Sequence, residues 1–181
     1  GAPAVDLVKR IGDLPGIELV GIVAHESAMG ERTVEAVERM AYEVASATAE
    51  TARLLRKEGI VIRDVVVGAS PTFRATCRLA KQFPEITEVH PGAMAIGDVS
   101  YANSFSNTEE SCALAVLTTV VSTPALGRAV IDAGGKTFGA DPLMQLSWRS
   151  DYLRDGRPRY GQVRGHPELW LGRLSAEVGV I

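Results

Sequence analysis

Cysteine is scarce: only Cys77 and Cys112 occur in the 181 residues, far apart in the chain. Such isolated thiols build no disulfide framework and suit a reducing compartment, so the expected location is the cytoplasm. Cys-x-x-Cys and His-x-x-x-His pairs are missing, which excludes a self-sufficient zinc site within the segment. No run approaches the roughly 20 consecutive apolar residues needed to cross a bilayer. Gly1–Asp6 lacks the charged and apolar regions of a secretory leader. Charge of one sign is also missing, with a net charge of −3 and a pI of about 5.7. That balance gives no electrostatic footprint for nucleic acid or for a membrane surface. Repeats, low-complexity stretches and charge runs are absent too.

What is present is a hydrophobic fraction of 46%, enough for one domain with a sizeable core, or one domain plus part of another. Ile17–Ala24 (IELVGIVA) is a nearly continuous apolar run, the pattern of a strand covered on both faces of a parallel sheet. A polar, glycine-containing break follows over 25–30. From Glu31 to Glu58 the apolar positions Val34, Val37, Met40, Ala41, Val44, Thr48, Thr51 and Leu55 repeat at helical spacing, and Gly59 stands where a helix stops. Asp64–Gly68 (DVVVG) predicts a short strand. Ser70-Pro71 then opens a second helix running to about Gln82, with proline in its first turn. Ile86–Val89 predicts a third strand before His90-Pro91-Gly92. Strands alternating with helices over short connections predict βαβ units and a parallel sheet or barrel.

The character changes after about residue 105. Cys112–Thr123 and Gly127–Asp132 are β-rich, with Pro124-Ala125-Leu126 between them, and Arg159–Val163 and Leu169–Leu174 predict further short strands. Residues 147–167 are rich in Arg, Asp, Gly and Pro, as in an exposed hairpin or loop. The predicted organisation is an α/β part over 1–105 and a β domain over 106–181.

In parallel α/β folds the loops at the C-terminal strand ends carry function. Three such ends bear polar or glycine-rich groups: Ala24-His25-Glu26-Ser27, Gly68-Ala69-Ser70-Pro71-Thr72 and His90-Pro91-Gly92-Ala93. In the second, a strand delivers a glycine and small hydroxyl residues start a helix, where free amides and the helix dipole favour phosphate. Ser and Thr also cap helices without binding anything. His25 suits a catalytic base, a ring-stacking partner or a hydrogen-bonded core histidine. His90 suits a ligand contact or a plain turn, and Gly92 would let an amide approach a ligand closely.

The order of these segments resembles the alanine-racemase-type enzymes that use pyridoxal phosphate, in particular the D-serine dehydratase and D-threonine aldolase family. GIVAHES (21–27) resembles the strand whose histidine lies against the cofactor ring. VVVGASPT (65–72) is similar to the family's G-S-T-P-T phosphate segment, and TEVHPGAMAIGD (87–98) to its E-x-H-P-G-N segment. AVLTTVVSTPALGRAVIDAGGKTFGAD (115–141) resembles the V-V-S-x-P…D-A-G…S-x-D stretch of the β domain, and LSAEVG (174–179) resembles L-S-E-E-H-G. The likeness implies the C-terminal part of a (β/α)8 cofactor-binding barrel followed by part of a β domain. It implies His25 against the ring and Gly68, Ala69, Ser70 and Thr72 at the phosphate. It further implies His90 near the pyridine nitrogen, and Gly92 and Ala93 as a second amide clamp. The implied activity is lysis of a D-amino acid or 3-hydroxy-D-amino acid by elimination or retro-aldol cleavage, with amino-acid racemisation as the rival within the same chemistry.

Departures from the pattern matter as much. The family's cofactor-bearing lysine ends its first barrel strand, whereas this chain has only Lys9, Lys57, Lys81 and Lys136, none at a matching strand end. The family's metal-binding pair follows the L-S-E-E-H-G segment, so any divalent metal is expected outside these residues. Val178 stands where the family has the histidine of E-H-G, and Ala93 where Asn is common. No catalytic or metal-ligating residue is therefore assigned within the segment. The resemblance implies a homodimer, or association with a missing part of the same chain, because a partial barrel leaves strand edges open. The alternatives are a non-catalytic module that binds a phosphate ligand, and a different barrel enzyme using His25 as general base.

Overall fold

A stripe of alanines decides how the first part of the chain packs. The computed structural model describes residues 1–26, 33–99, 109–139 and 159–181. They divide into two units, Gly1–Ala95 and Ile96–Ile181. In the first unit, helix α1 (Ala2–Gly12), strand β1 (Gly21–Val23), helix α2 (Val34–Lys57), strand β2 (Asp64–Val67), helix α3 (Phe73–Leu79) and strand β3 (Glu88–Val89) follow in order. Along α2, Ala41, Ala45, Ala49 and Ala52 are fully buried together with Leu55. Small residues at three- and four-residue spacing let the helix backbone approach its neighbours closely. One core joins Val5 and Val8 of α1 to Ala52, Leu55, Ile62 and Val65, and another joins Ala45 and Ala49 to Phe83.

Both ends of α2 are built by recognisable local chemistry. Thr33 is extended and its Oγ1 accepts from the Ala36 amide at 3.1 Å, a side-chain N-cap. At the other end Gly59 takes φ 77°, while the Gly59 amide donates to Arg56 O and the Ile60 amide to Leu55 O. That paired return is the Schellman stop, and Ile60 packs beside Leu55 as the motif requires. The predicted helix thus exists over 34–57; its expected first residues, Glu31 and Arg32, lie outside the described residues, as does the break over 27–30.

The three strands pair in parallel in the order β1-β2-β3, with Val23 opposite Val66, Val66 opposite Glu88 and Val67 opposite Val89. Two expectations are corrected. The run from Ile17 is strand only from Gly21, and Val23 is 72% exposed: β1 lies at the sheet edge among the described residues and is not covered on both faces. Pro71 does not sit inside the second helix but in a turn before it, because the Thr72 amide closes back onto Ala69 O at 3.1 Å and α3 begins at Phe73. That helix stops at Leu79 instead of Gln82.

The second unit is antiparallel. Strands β4 (Val120–Ala125), β5 (Arg128–Ile131), β8 (Arg173–Leu174) and β9 (Gly179–Val180) form one sheet in the order β4-β5-β9-β8, and β6 (Gly161–Val163) pairs with β7 (His166–Leu171) as a hairpin. A short helix α4 spans Gly135–Phe138. Ile131, Ala133 and Leu171 form the core, flanked by Phe138, Tyr160, Leu174 and Ile181. Pro124, expected between two β-rich segments, lies inside β4. An edge strand tolerates a proline, and the pairing is irregular between Ser122 and Ala125, so no ladder bond is lost. The turn comes instead at Leu126-Gly127, where Gly127 has φ 74°. Residues 112–119 carry no strand. The expected loop over 147–167 lies outside the described residues as far as 158; beyond that it is the β6–β7 hairpin, turning at Gly165 with φ 78°.

Two segments far apart in sequence interlock within this unit. The Gly135 amide donates to Ser175 O at 2.8 Å and the Lys136 amide to Ala176 O at 3.1 Å. A Cβ on Gly134 would lie 2.5 Å from Ser175 O and from Val178 N, so D-A-G (132–134) closes on LSAEVG only because a glycine stands there.

Candidate cofactor site at three strand ends

Parallel pairing in this register puts the C-terminal ends of β1, β2 and β3 side by side on one edge of the sheet. His25 and Glu26 leave β1, Gly68–Thr72 leave β2, and His90–Ala93 leave β3. The sequence-predicted residues therefore share an edge, but they differ in exposure. Gly68, Ala69, Ser70 and Thr72 are buried, whereas His25, His90 and Gly92 are exposed and Ala93 is half-buried.

The loop after β2 is held by its own hydroxyls. Gly68 turns the chain at φ 109°, and a Cβ there would lie 2.5 Å from Val89 Cγ1. Thr72 Oγ1 accepts from the Ala69 amide at 3.0 Å and donates to Ala69 O at 3.1 Å. Ser70 Oγ accepts from the Ala93 amide at 3.0 Å, bridging the loops after β2 and β3. Four groups expected to face a phosphate thus pair with each other: the hydroxyls of Ser70 and Thr72 with the amides of Ala93 and Ala69. These bonds fix the shape of the loop after β2. The first-turn amides at the start of α3 have no intrahelical acceptors, as at any helix N-terminus.

His90 pairs with a residue of β3, the strand it follows. Its Nε2 lies 2.8 Å from Glu88 Oε2, both residues being exposed. Residues two apart on a strand share a face, which explains the pairing. One residue was missed in the sequence. Glu26 is 2% exposed, its Oε1 accepts from Thr76 Oγ1 at 3.3 Å, and its Oε2 has no hydrogen-bond partner among the described residues. A charged residue beside an exposed histidine carries no sequence signal of burial.

No lysine of the first unit stands at the C-terminal end of a strand. Lys9 of α1 pairs with Glu58 at 2.6 Å, Lys57 is in the last turn of α2, Lys81 follows α3, and Lys136 of α4 pairs with Glu177. Hydrogen bonding to Lys9 and its nearby positive charge hold the Glu58 carboxyl below the usual carboxylate range. Buried glycine, small hydroxyls and flanking imidazoles fit the phosphate and ring of pyridoxal phosphate; they do not fit its covalent attachment. Among the described residues, no group of three or more His, Cys, Asp or Glu side chains is placed to hold a metal ion. No helix among them is long and apolar enough to cross a membrane. A cavity of about 470 Å³ belongs to the second unit, lined among others by Leu114, Thr118, Phe138, Tyr160 and Arg164. It contains none of the predicted cofactor contacts, so chemistry outweighs cavity size in locating the site.

Comparison with known proteins decides between the fold families open to such an edge. Residues 113–181 match the family described as a putative serine dehydratase domain. D-threo-3-hydroxyaspartate dehydratase of Delftia sp. (strain HT23) is 32% identical over 146 residues, and D-threonine aldolase of Arthrobacter sp. is 34% identical over 142. The chain is related to these D-amino-acid lyases. The alignments take in 78% and 75% of this chain but only 37% and 35% of the two relatives, so the chain spans little more than a third of their length. Among solved structures, the Delftia dehydratase superposes with a TM-score of 0.75 at 28% identity, covering 91% of this chain and 42% of that one. An alanine-racemase-like protein of Idiomarina loihiensis superposes with a TM-score of 0.76 at 20% identity, over 99% of this chain and 46% of that one, which shows the shared fold. The α/β class and the resemblance read from the motifs both hold.

Proposed function

We propose that this chain supplies the phosphate and ring-edge side of a pyridoxal phosphate site in a lyase acting on D-amino acids or 3-hydroxy-D-amino acids. Kinship with a dehydratase and an aldolase supports that reaction class. The observation that carries the site is the parallel register, which sets His25, Gly68–Thr72 and His90–Ala93 on adjacent strand ends with Ser70 and Ala93 bonded across them. Bound there, pyridoxal phosphate supplies an electron sink for negative charge developing on the substrate Cα. The chain's own residues bind and orient it. Gly68, Ala69, Ser70 and Thr72 hold the phosphate, Gly92 and Ala93 clamp it from β3, His25 covers the ring, and His90 lies toward the pyridine nitrogen. The lysine and any divalent metal come from outside these 181 residues, and the working form is a cytoplasmic homodimer or an association with further chain.

The lack of a lysine at the strand ends favours one further reading for the polypeptide by itself: a module that binds a phosphate ligand without covalent chemistry. Adding pyridoxal phosphate to the chain tests both. Tight binding by the chain, with no turnover once it is joined to its lysine-bearing part, supports the module. A screen of the protein joined to its lysine-bearing part against D-serine, D-threonine and D-alanine, with and without divalent metal, tests the lyase. Turnover of D-alanine alone, without cleavage of the hydroxylated substrates, would make the protein a racemase and overturn the lyase reading.

A further inference from the structure

We propose that Glu26 is a positioning residue for the Gly68–Thr72 loop, acting through Thr76. The inference deepens the functional reading above and rests on it. Glu26 follows exposed His25 at the end of β1, yet it is itself 2% exposed. Burying a carboxyl is costly unless its oxygens are paired, and an apolar side chain at the same place would avoid that cost. Only one of the two oxygens is used among the described residues. Glu26 Oε1 lies 3.3 Å from Thr76 Oγ1, while Oε2 finds no partner there. A half-paired buried carboxyl is a poor device for stability, so its value lies in what the paired oxygen holds.

That oxygen holds the loop by a short route. Thr76 Oγ1 lies 3.1 Å from Thr72 O, one helical turn back. Thr72 in turn closes on Ala69 through its amide and its hydroxyl. Glu26, Thr76, Thr72 and Ala69 form one hydrogen-bonded series from the end of β1 to the middle of the loop after β2. The backbone pairing of β1 with β2 ends at Val23, apart from the Ala24 amide on Val66 O. Beyond that point, among the described residues, the Glu26–Thr76 bond links the end of β1 to the helix that follows the loop. Thr76 has one hydroxyl proton for two acceptors, Thr72 O and Glu26 Oε1, so it serves one at a time, and the residue at position 26 must be able to accept that proton or to donate to Thr76 Oγ1. A glutamine at position 26 meets that need; a leucine does not.

The experiment compares Glu26→Leu, Glu26→Gln and Thr76→Val in the whole chain by amide hydrogen exchange, thermal unfolding and pyridoxal phosphate affinity. Glu26→Leu should keep or raise the unfolding temperature, while exchange at Ala69 and Thr72 speeds up and affinity falls, each about tenfold. Glu26→Gln should restore both to within about threefold of the parent, and Thr76→Val should resemble Glu26→Leu. Unchanged exchange at Ala69 and Thr72 in Glu26→Leu overturns the inference, as do equal losses in the Leu and Gln variants. Should Glu26→Leu not fold, Thr76→Val decides by the same exchange readout. A parent chain that binds no pyridoxal phosphate overturns the functional reading, and the exchange arm still judges Glu26.

Discussion

Ser70 Oγ accepts the Ala93 amide at 3.0 Å, and this one contact ties the loop leaving β2 to the loop leaving β3. Both loops bear residues assigned to the same cofactor, so their mutual position is fixed before any ligand arrives. Preorganisation of this kind lowers the ordering cost of binding. Ser70→Ala strands the half-buried Ala93 amide. We expect a loss of about 1–3 kcal/mol in stability, read by urea unfolding with far-UV circular dichroism, and faster exchange at Ala93.

Gly68 stands at φ 109° with Val89 Cγ1 2.5 Å from where a Cβ would be. Gly68→Ala combines backbone strain with a collision against the neighbouring strand. The expected cost is about 1–3 kcal/mol. Because the strain is borne by the loop as well as by β3, pyridoxal phosphate affinity should fall alongside the unfolding midpoint.

In the second unit Gly134 is closed in by the backbone of Ser175, Ala176 and Val178. Its φ of −119° is ordinary, so space and not strain demands glycine. Gly134→Ala should separate D-A-G from LSAEVG. Trp170 stands in β7 of this unit, and its fluorescence should report an earlier unfolding transition. The helical signal of the first unit should hold.

Asp132 accepts from Thr118 Oγ1 at 2.6 Å and from the Thr119 amide at 2.8 Å, and these two bonds hold its carboxyl below the usual carboxylate range. A depressed folded-state value means that the contribution is present above the ordinary carboxylate pKa. It is lost as pH falls through the folded-state value. Asp132→Asn should therefore lower tryptophan-monitored stability at neutral pH and flatten its decline on acidification. A variant and parent with parallel pH profiles would contradict that assignment.

Much of this arrangement was legible in the residues. The helical spacing from Val34 to Leu55 and the glycine at 59 named α2 and its stop, because capping and periodicity are local. DVVVG named β2 for the same reason, and the collinear motifs named the family. Elsewhere longer-range physics decided. Ile17–Val20 is as apolar as β2, but among the described residues its link to the sheet is Val20 O accepting from the Arg63 and Asp64 amides and the ladder starts at Gly21, so only Gly21–Val23 became strand. Pro71 was displaced from the helix by a turn that the Thr72 amide closes on Ala69 O. In the site, the sequence marked the hydroxyls and glycines but not that Ser70 and Thr72 would spend them on Ala93 and Ala69. The burial of Glu26 depends on Thr76, fifty residues away, and no local pattern could announce it.

The central claim is that one aromatic phosphate ligand sits across the ends of β1, β2 and β3. Titrating the isotope-labelled chain with pyridoxal phosphate, and following backbone amide and histidine ring resonances, tests it most directly. Shifts should gather at Gly68–Thr72, Gly92, Ala93 and the His25 ring, with Ser70→Ala weakening them together. A titration that leaves those resonances still, or moves only residues of the β4–β9 unit, would contradict the account.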